Sequence, residues 1–306
     1  MFLEQIPVQV RTVLRALEGA GYSAYVVGGC VRDTLMARDP ADWDVATSAQ
    51  PEQVKAVMGA YRVADTGLRH GTVTAIIDGM PSEITTFREE GEYLDLRHPS
   101  SVSFTADLQA DLARRDFTVN AMAWSEKTGL VDPFDGAADL TRGILRAVGE
   151  PRKRFSEDAL RILRALRFSS VLGFSIEEKT AQAAIECRSL LARISSERVR
   201  DEFSALLCGP GVERVLMEYA EIIAVIIPEI VPSIGFSQNN YHHIYDVWEH
   251  TVHSIAAVEP ELVLRLVMLL HDLGKPHSYT EDADGVGHFY GHPMISPGIA
   301  GGVLLR

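Results

Sequence analysis

The sequence is poor in cysteine, with only Cys30, Cys187 and Cys208, and none of the three stands in a CxxC spacing. An odd, scattered set of cysteines argues against a disulfide framework or a thiolate metal site and fits a reducing cytoplasm. Apolar runs such as 222–227 are far too short to span a bilayer, and the first residues lack the basic start and the apolar segment of a signal peptide. We therefore expect a soluble, cytoplasmic protein that does not associate with membranes.

The sequence also lacks an excess of positive charge. It holds 29 Lys and Arg against 42 Asp and Glu, for a net charge of −13. A nucleic-acid partner would have to be met by a local basic surface rather than by net charge. With 46% hydrophobic residues in 306 positions, the chain is not disordered in the main, and its length predicts two core-bearing domains or three small ones.

The first part of the sequence predicts a mixture of helices and strands. Hydrophobic spacing over residues 3–20 predicts a helix. The predicted strands lie at 24–29, at 42–47 and in the two halves of 71–87. Asp78-Gly79 is typical of a hairpin turn between the last two. Residues 88–103 are dense in charge and have no clean period, so we expect a mobile loop there.

From Ser156 onward the pattern is helical. The predicted helices cover 157–172, 176–194, 196–209 and 211–226. Residues 235–240 predict a connector, after which a histidine-rich segment begins a last helical unit. The sequence ends within a helical pattern, GIAGGVLLR, so we expect a truncated reading frame. The pattern predicts three domains, at 1–145, 146–235 and 236–306.

Two acidic residues form a DxD pair. Asp42 and Asp44 are two positions apart on a predicted strand, so both carboxylates should point to one face. Like charges held that close repel each other unless a cation lies between them, which is typical of a divalent metal site. Glu83 adds a third acid on a neighbouring predicted strand. The alternatives are a solvated strand end for the pair and an ordinary surface position for Glu83.

A glycine turn precedes this pair. Gly28 and Gly29 lie at the end of a predicted strand and open a predicted helix that carries Arg32 in its first turn. Backbone amides at such a turn can receive phosphate.

Four segments in order resemble one known family. They are GGCVRDTLMARDPADWDVAT from Gly28, GTVTAIIDG with EITTFR, RRDFTVNAMAW at 114–124, and the stretch 132–168. Together they resemble the class II tRNA nucleotidyltransferases (CCA-adding enzymes) and the bacterial poly(A) polymerases, over about residues 22–174. The resemblance implies an α/β nucleotidyltransferase head with a mixed sheet and helices, followed by an all-α neck.

The resemblance also implies a chemistry. Asp42 and Asp44 would hold Mg²⁺, with Glu83 as the third acid, while an RNA 3′-hydroxyl attacks a nucleoside triphosphate and pyrophosphate leaves. Such a transfer depends on charge neutralisation and alignment by two metal ions. The implied nucleotide-binding residues are Gly28, Gly29, Arg32, Arg115, Asp116, Asn120, Asp158, Arg161 and Arg164. The alternative for the RRD run is a salt-bridge cluster.

An EDxxR element follows Ser156, which we predict to be the N-cap of a helix with Glu157 and Asp158 in its first turn. Asp158 and Arg161 would then form a surface ion pair, or, as the resemblance implies, read the edge of cytosine or adenine. A basic run lies nearby, at Arg142, Arg146, Arg152, Lys153 and Arg154. It predicts a solvated face or contacts to the RNA backbone, and we favour RNA contacts for residues 152–154.

The histidine-rich end has a resemblance of its own. His271-Asp272, in HDLGK at the end of an apolar segment, together with His250 resembles the HD metal-dependent phosphohydrolases and implies a second divalent metal. The last unit would thus be a partial, all-α HD unit. That pattern requires a further Asp downstream, so we expect an incomplete site. His288 and His292 match the segment that follows HDxGK in members with this unit.

The sequence therefore predicts a template-independent tRNA nucleotidyltransferase that adds C, A or both to the tRNA 3′ end from CTP and ATP. One alternative is a poly(A) polymerase. Another is an HD phosphohydrolase or RNA-binding protein with an inactive head. Division of labour between CC-adding and A-adding enzymes stays open, as does the oligomeric state.

Overall fold

The computed structural model describes residues 2–67, 71–91, 93, 100–241 and 243–306. The chain divides into two compact units, of which the first ends at Asp158 and the second comprises Ala159–Arg306. The division into three domains stays a prediction, since the compact units do not separate a neck from the last unit.

The first unit is built on a mixed sheet, as expected. Its strands are β1 (Ala24–Val27), β2 (Asp44–Thr47), β3 (Arg62–Gly67), β4 (Thr72–Ile77), β5 (Met80–Thr86), β6 (Arg88–Glu90), β7 (Val102–Phe104), β8 (Ala123–Ser125), β9 (Gly129–Val131) and β10 (Ile144–Leu145). Seven of them form one sheet in the order β3-β4-β5-β2-β1-β8-β9. β2 pairs with β5 in parallel, and β1 is antiparallel to both β2 and β8.

Helices flank this sheet. They are α1 (Phe2–Gln5), α2 (Val8–Gly19), α3 (Gly29–Leu35), α4 (Pro51–Val57), α5 (Leu108–Ala113), α6 (Gly136–Arg142) and α7 (Pro151–Glu157), with a 3-10 turn at Thr118–Asn120. Neighbouring residues of β1 and β2 pack into two different apolar clusters. Val26 and Val45 belong to one cluster, and Val27 and Ala46 belong to the other. Because side chains alternate between the faces of a strand, both faces of the sheet are covered.

The predicted hairpin is confirmed. β4 and β5 pair from Thr72↔Thr85 to Ile77↔Met80. Asp78 and Gly79 both have positive φ, at 49° and 81°, which is the backbone geometry of the two-residue turn that best matches strand twist.

Three local predictions are wrong. The helix at 3–20 is interrupted, because Pro7 has no backbone N–H and begins a new helix as its N-cap. The strand at 42–47 begins at Asp44. The two ends of the predicted loop at 88–103 are strands that pair with each other, since β6 and β7 align Arg88 with Phe104. Positions 92 and 94–99 of that prediction lie outside the described residues.

The second unit is predominantly helical, as predicted. Its helices are α8 (Leu160–Leu172), α9 (Glu178–Cys187), α10 (Ser196–Leu207), α11 (Val212–Glu218), α12 (Ala220–Ile226), α13 (Val247–Ala257), α14 (Leu262–Leu270), α15 (Lys275–Ser278) and α16 (His292–Leu304). Short strands lie at β11 (Ser175–Ile176), β12 (Thr280–Glu281) and β13 (Gly287–His288), and 3-10 turns at Arg188–Arg193 and Pro228–Ser233. α13 begins with a capping box, in which Asp246 accepts from Glu249 N and the Glu249 side chain accepts from Asp246 N.

Across the described residues, none of the helices has both the length and the apolar composition needed to cross a membrane.

Candidate active site

Two of the three predicted catalytic acids are neighbours in the sheet. The parallel pairing of β2 with β5 sets Asp44 directly opposite Glu83, so the two side chains leave the same face. Asp42 precedes the strand rather than lying on it, which corrects the prediction. Trp43 between the two aspartates is buried, whereas Asp42 is exposed.

The electrostatics of Asp44 place the other acids near it. Burial raises the pKa of the Asp44 carboxyl, and the charge of Asp42 raises it further. Glu83 acts in the same direction, and the Arg115 guanidinium opposes them. A group of carboxylates that repel one another is a donor set suited to a hard divalent cation, which prefers oxygen ligands. The residues present therefore fit Mg²⁺.

The glycine turn lies against Arg115. Gly28 has φ of 79°, and a Cβ atom there would lie 2.6 Å from Arg115 Nη1. The backbone conformation disfavours any other residue at this position, and a Cβ atom would displace the end of the Arg115 side chain. The turn and Arg115 thus approach each other as closely as a glycine permits.

Arg32 is held in a chain of hydrogen bonds. Its Nε and Nη2 donate to the Asp33 carboxylate at 2.8 and 2.9 Å, and Nη1 donates to Asn120 Oδ1 at 2.6 Å. Asn120 Nδ2 donates in turn to Asp116 Oδ1 at 3.1 Å. The structure thus brings together Arg32, Asp116 and Asn120, three of the residues predicted to bind nucleotide. Asp33 was missed, although a carboxylate next to an arginine in the sequence was a signal for it.

The prediction for Ser156 is wrong. Helix α7 begins at Pro151, with Glu150 as N-cap, and Ser156 lies inside it with its hydroxyl donating to Lys153 O at 2.9 Å. Asp158 ends this helix in an extended conformation, and α8 begins at Leu160. Asp158 and Arg161 therefore do not share one helix. Proline at the first helical position was the stronger start signal.

The members of the predicted basic run differ in their contacts and exposure. Arg154 donates to Ala113 O and to Glu157, and Arg146 pairs with Asp139 at 3.0 Å. The side chains of Arg142, Arg152 and Lys153 are exposed. In the second unit, Arg161 is buried and Arg164 pairs with Glu202.

A second cluster of ionisable groups lies in the second unit. The ligand atoms of His250, His271 and Asp272 all lie within 4.8 Å of one another. Within the described parts of the chain, Asp42, Asp44 and Glu83 do not gather as tightly. The structure thus brings together the three residues that the HD pattern singled out.

Asp272 is the centre of this cluster. His271 Nε2 lies 3.1 Å and Lys275 Nζ 2.8 Å from its Oδ2, and His292 Nε2 lies 3.5 Å from Oδ1. Burial raises the pKa of Asp272, but the hydrogen bonds from His271 and Lys275 outweigh it, and the net pKa is lowered. His288 does not join them, since it pairs with Asp282 at 2.9 Å.

Two of the three histidines around Asp272, His271 and His292, are held in the same way. Nδ1 of His271 lies 2.7 Å from Met268 O, and Nδ1 of His292 lies 2.7 Å from Phe289 O. Because a carbonyl only accepts, each Nδ1 carries a proton and each Nε2 faces Asp272. Histidine ligands of metals are commonly held in this way.

Comparison with known proteins matches both units. Residues 24–146 match the family described as "Poly A polymerase head domain", and residues 173–233 match "Probable RNA and SrmB- binding site of polymerase A". The CCA-adding enzyme of Lactobacillus delbrueckii subsp. bulgaricus is 48% identical over 217 residues, which are 71% of this chain and 54% of that protein. The CCA-adding enzyme of Lactiplantibacillus plantarum is 49% identical over 68% of this chain and 52% of its own.

The solved structures agree. The crystal structure of the Bacillus stearothermophilus CCA-adding enzyme in complex with CTP superposes with a TM-score of 0.69 and 34% identity, over 97% of this chain and 68% of that one. The mixed sheet and its matched head domain define a protein with the nucleotidyltransferase fold. Within that class, the chain belongs to the CCA-adding enzyme family. It spans about half the length of the curated relatives that it matches.

The raised pKa of Asp44 predicts a cost in stability. Asp44→Asn should raise the free energy of unfolding at pH 7 by about 1 kcal/mol, because a buried, repelled charge is removed from a functional site. The folded protein binds the Asp44 carboxyl proton more tightly than the unfolded chain does. The free energy of unfolding of the wild type therefore falls as the pH rises from the pKa of this carboxyl in the unfolded chain to its higher pKa in the folded protein. The gain should therefore shrink as the pH is lowered toward about 4.

Urea unfolding at pH 7 and at lower pH measures this effect. Asp78→Asn is the matched control, since Asp78 is an exposed turn residue and asparagine accepts its positive φ. A variant at Asp44 that is less stable than the wild type at pH 7 would contradict the electrostatic account.

Proposed function

We propose that the protein is a template-independent tRNA nucleotidyltransferase that adds C, A or both to the tRNA 3′ end from CTP and ATP. The observation that carries the proposal is the pairing of Asp44 with Glu83, with Asp42 and the glycine turn beside them. The relative from Bacillus stearothermophilus is a CCA-adding enzyme in complex with CTP, which supports the choice of substrate.

The acids would act through Mg²⁺. Asp42 and Asp44 would hold the metal, with Glu83 as the third acid. When bound, the metal neutralises charge on the triphosphate and activates the attacking 3′-hydroxyl. Gly28, Gly29 and Arg115 would receive the triphosphate.

The chain of hydrogen bonds around Arg32 has a separate role. Arg32 is already bonded to Asp33 and Asn120, so it fixes the wall of the site and orients the group that would meet the sugar, Asp116 with Asn120. We assign Asp158 and Arg161 to base selection, together with Arg164, which follows Arg161 by three positions on α8. The exposed Arg152 and Lys153 would contact the RNA backbone, while Arg154 braces α7 through Ala113 and Glu157. None of the three cysteines, all of which lie in the described part of the chain, forms a disulfide, which is compatible with the cytoplasm as the location.

Nucleotide addition tests the proposal. Wild-type protein is incubated with Mg²⁺, each triphosphate in turn, and tRNA transcripts lacking the terminal CCA, CA or A. Asp42→Ala or Asp44→Ala should reduce incorporation by more than about a hundredfold, because each removes a metal ligand. Asp39→Ala, an exposed acid in the same loop, should leave the rate near that of wild type. Extension of unrelated RNA by many A residues would favour a poly(A) polymerase instead.

Base selection predicts a different outcome. Asp158→Ala removes a hydrogen-bond acceptor, and Arg161→Ala removes donors, so either change should lower discrimination against UTP and GTP roughly ten- to a hundredfold. Specificity constants for the four nucleotides on one tRNA primer measure it, with the exposed Lys179→Ala as control. An equal decrease for all four nucleotides would make the pair structural.

A second candidate function belongs to the second unit. We propose that His250, His271 and Asp272 bind a divalent metal of an HD-type phosphohydrolase centre, on the observation that their ligand atoms converge. His292 faces the same carboxylate and would support the centre.

Metal binding tests this candidate separately. In an Asp42→Ala, Asp44→Ala background, which lacks the proposed metal ligands of the head, Mn²⁺ should raise the unfolding temperature. Adding His271→Ala should abolish that shift, and adding His288→Ala should keep it, because His288 pairs with Asp282. Hydrolysis of 2′,3′-cyclic phosphates should be weak, since the expected downstream Asp ligand is not among the converging groups. No shift in the Asp42→Ala, Asp44→Ala background would refute the centre. Strong hydrolysis that His271→Ala abolishes would show that the donor set is complete.

A further inference from the structure

A cluster of charged side chains in the first unit includes Arg115, one of the proposed triphosphate contacts. It consists of Arg88, Glu90, Asp111, Arg114 and Arg115, and we call it the Asp111 cluster. Asp111 lies on α5 and is only 1% exposed. A carboxylate is buried to that degree only when its partners are well placed.

One oxygen of Asp111 is bonded to its neighbours. Oδ1 accepts from Arg114 Nε at 3.0 Å and from Arg114 Nη2 at 2.9 Å, and from the backbone N–H of Arg88 at 3.3 Å. Arg114 also donates to Glu90 at 3.0 Å, and Glu90 pairs with Arg88 at 3.1 Å. This half of the cluster is a set of short, charge-assisted contacts.

The other oxygen faces Arg115 at a longer distance. Arg115 Nη2 lies 3.5 Å from Asp111 Oδ2, and its Nη1 donates to Asn120 O at 3.4 Å. Among the described residues, Oδ2 of Asp111 and Nε of Arg115 are buried without a hydrogen-bond partner. The Arg115 guanidinium is therefore attracted to Asp111 without being fully bonded there, so it keeps hydrogen-bonding capacity for an anion.

Arg115 lies between two acidic groups. On one side is Asp111, and on the other is Asp44, whose pKa Arg115 lowers. Gly28 lies against the guanidinium, where a Cβ atom would be 2.6 Å from Nη1. Arg115 acts electrostatically on Asp44, so an Arg115 that was not attracted to Asp111 would be drawn toward the Asp44 group, where an internal salt bridge would compete with a cation.

We infer that Asp111 is a positioning residue, which holds the Arg115 guanidinium at the glycine turn, ready for a triphosphate and away from Asp44. The inference rests on the proposed function, because it takes Arg115 as a triphosphate contact. Asp111 itself touches no substrate. It acts through Arg115, so removal of the Asp111 charge should weaken binding of the triphosphate.

Binding of CTP without chemistry tests this role. Calorimetric titration of the full chain with CTP in Ca²⁺ gives the Kd, and nucleotide addition in Mg²⁺ gives KM and kcat. Asp111→Asn preserves shape and an acceptor for Arg114 but removes the charge. We expect Kd and KM for CTP to rise roughly ten- to a hundredfold, by displacement of Arg115, with kcat changed by less than about threefold.

Two comparisons separate positioning from general support. Glu90→Gln is the matched control, because Glu90 is a buried acid of the same cluster that contacts Arg88 and Arg114. Its Kd for CTP should stay within about threefold of wild type. The double variant Asp111→Asn with Arg115→Met should bind CTP as Arg115→Met alone does, because the two residues act as one unit.

The outcomes are distinct. Unchanged CTP affinity in a folded Asp111→Asn variant, or additive effects in the double variant, would overturn the inference, as would equal losses in Glu90→Gln. If Asp111→Asn does not fold, Arg115→Lys is used in its place, because one ammonium group cannot contact both Asp111 and the glycine turn. An unchanged Kd for CTP in Arg115→Lys would also overturn the inference. Wild-type protein that binds no CTP would refute the proposed function itself.

Discussion

Repulsion among carboxylates is the constraint on which the head of this protein depends. Asp44 and Glu83 are adjacent because β2 and β5 run in parallel within an otherwise antiparallel set of described pairs. A parallel pair needs a crossover, and the chain supplies it through α4, β3 and β4. The two apolar clusters that cover the sheet stabilise strands whose ends carry charges that oppose folding. The fold thus holds a group of carboxylates together, and a divalent cation would reduce the repulsion among them.

The cations around these acids differ in how firmly they are held. Arg32 has contacts of 2.6 to 2.9 Å with Asn120 and Asp33, so its guanidinium is a fixed part of the wall. Arg115 has contacts of 3.4 and 3.5 Å and lies against the glycine turn. Weaker contacts leave a guanidinium able to form new hydrogen bonds at little cost. The same residue type therefore serves two purposes within one site.

Local sequence patterns predicted the parts of the site that local conformation determines. Gly28 and the turn at Asp78-Gly79 need positive φ, and the alternation around Glu83 follows from the period of a strand. Predictions were wrong where two local signals competed. Pro151 starts α7, so Ser156 lies inside that helix and is not an N-cap. Partners distant in the chain were also missed, because the pairing of Asp111 with Arg88, or of His292 with Asp272, exists only in three dimensions.

The two candidate metal centres are opposite in their electrostatics. Asp44 lies among acids, so its pKa is raised by burial and by neighbouring negative charge. Asp272 has an ammonium group and an imidazole within 3.1 Å, and the same contact raises the pKa of His271 against the effect of burial. A metal at Asp44 replaces repulsion with attraction. A metal at Asp272 competes with the contacts that His271 and Lys275 already make to this carboxylate, and a histidine ligand binds only as the neutral imidazole. A cation therefore lowers the electrostatic cost of the Asp44 group, whereas at Asp272 it competes with cationic and hydrogen-bonding partners that are already in place.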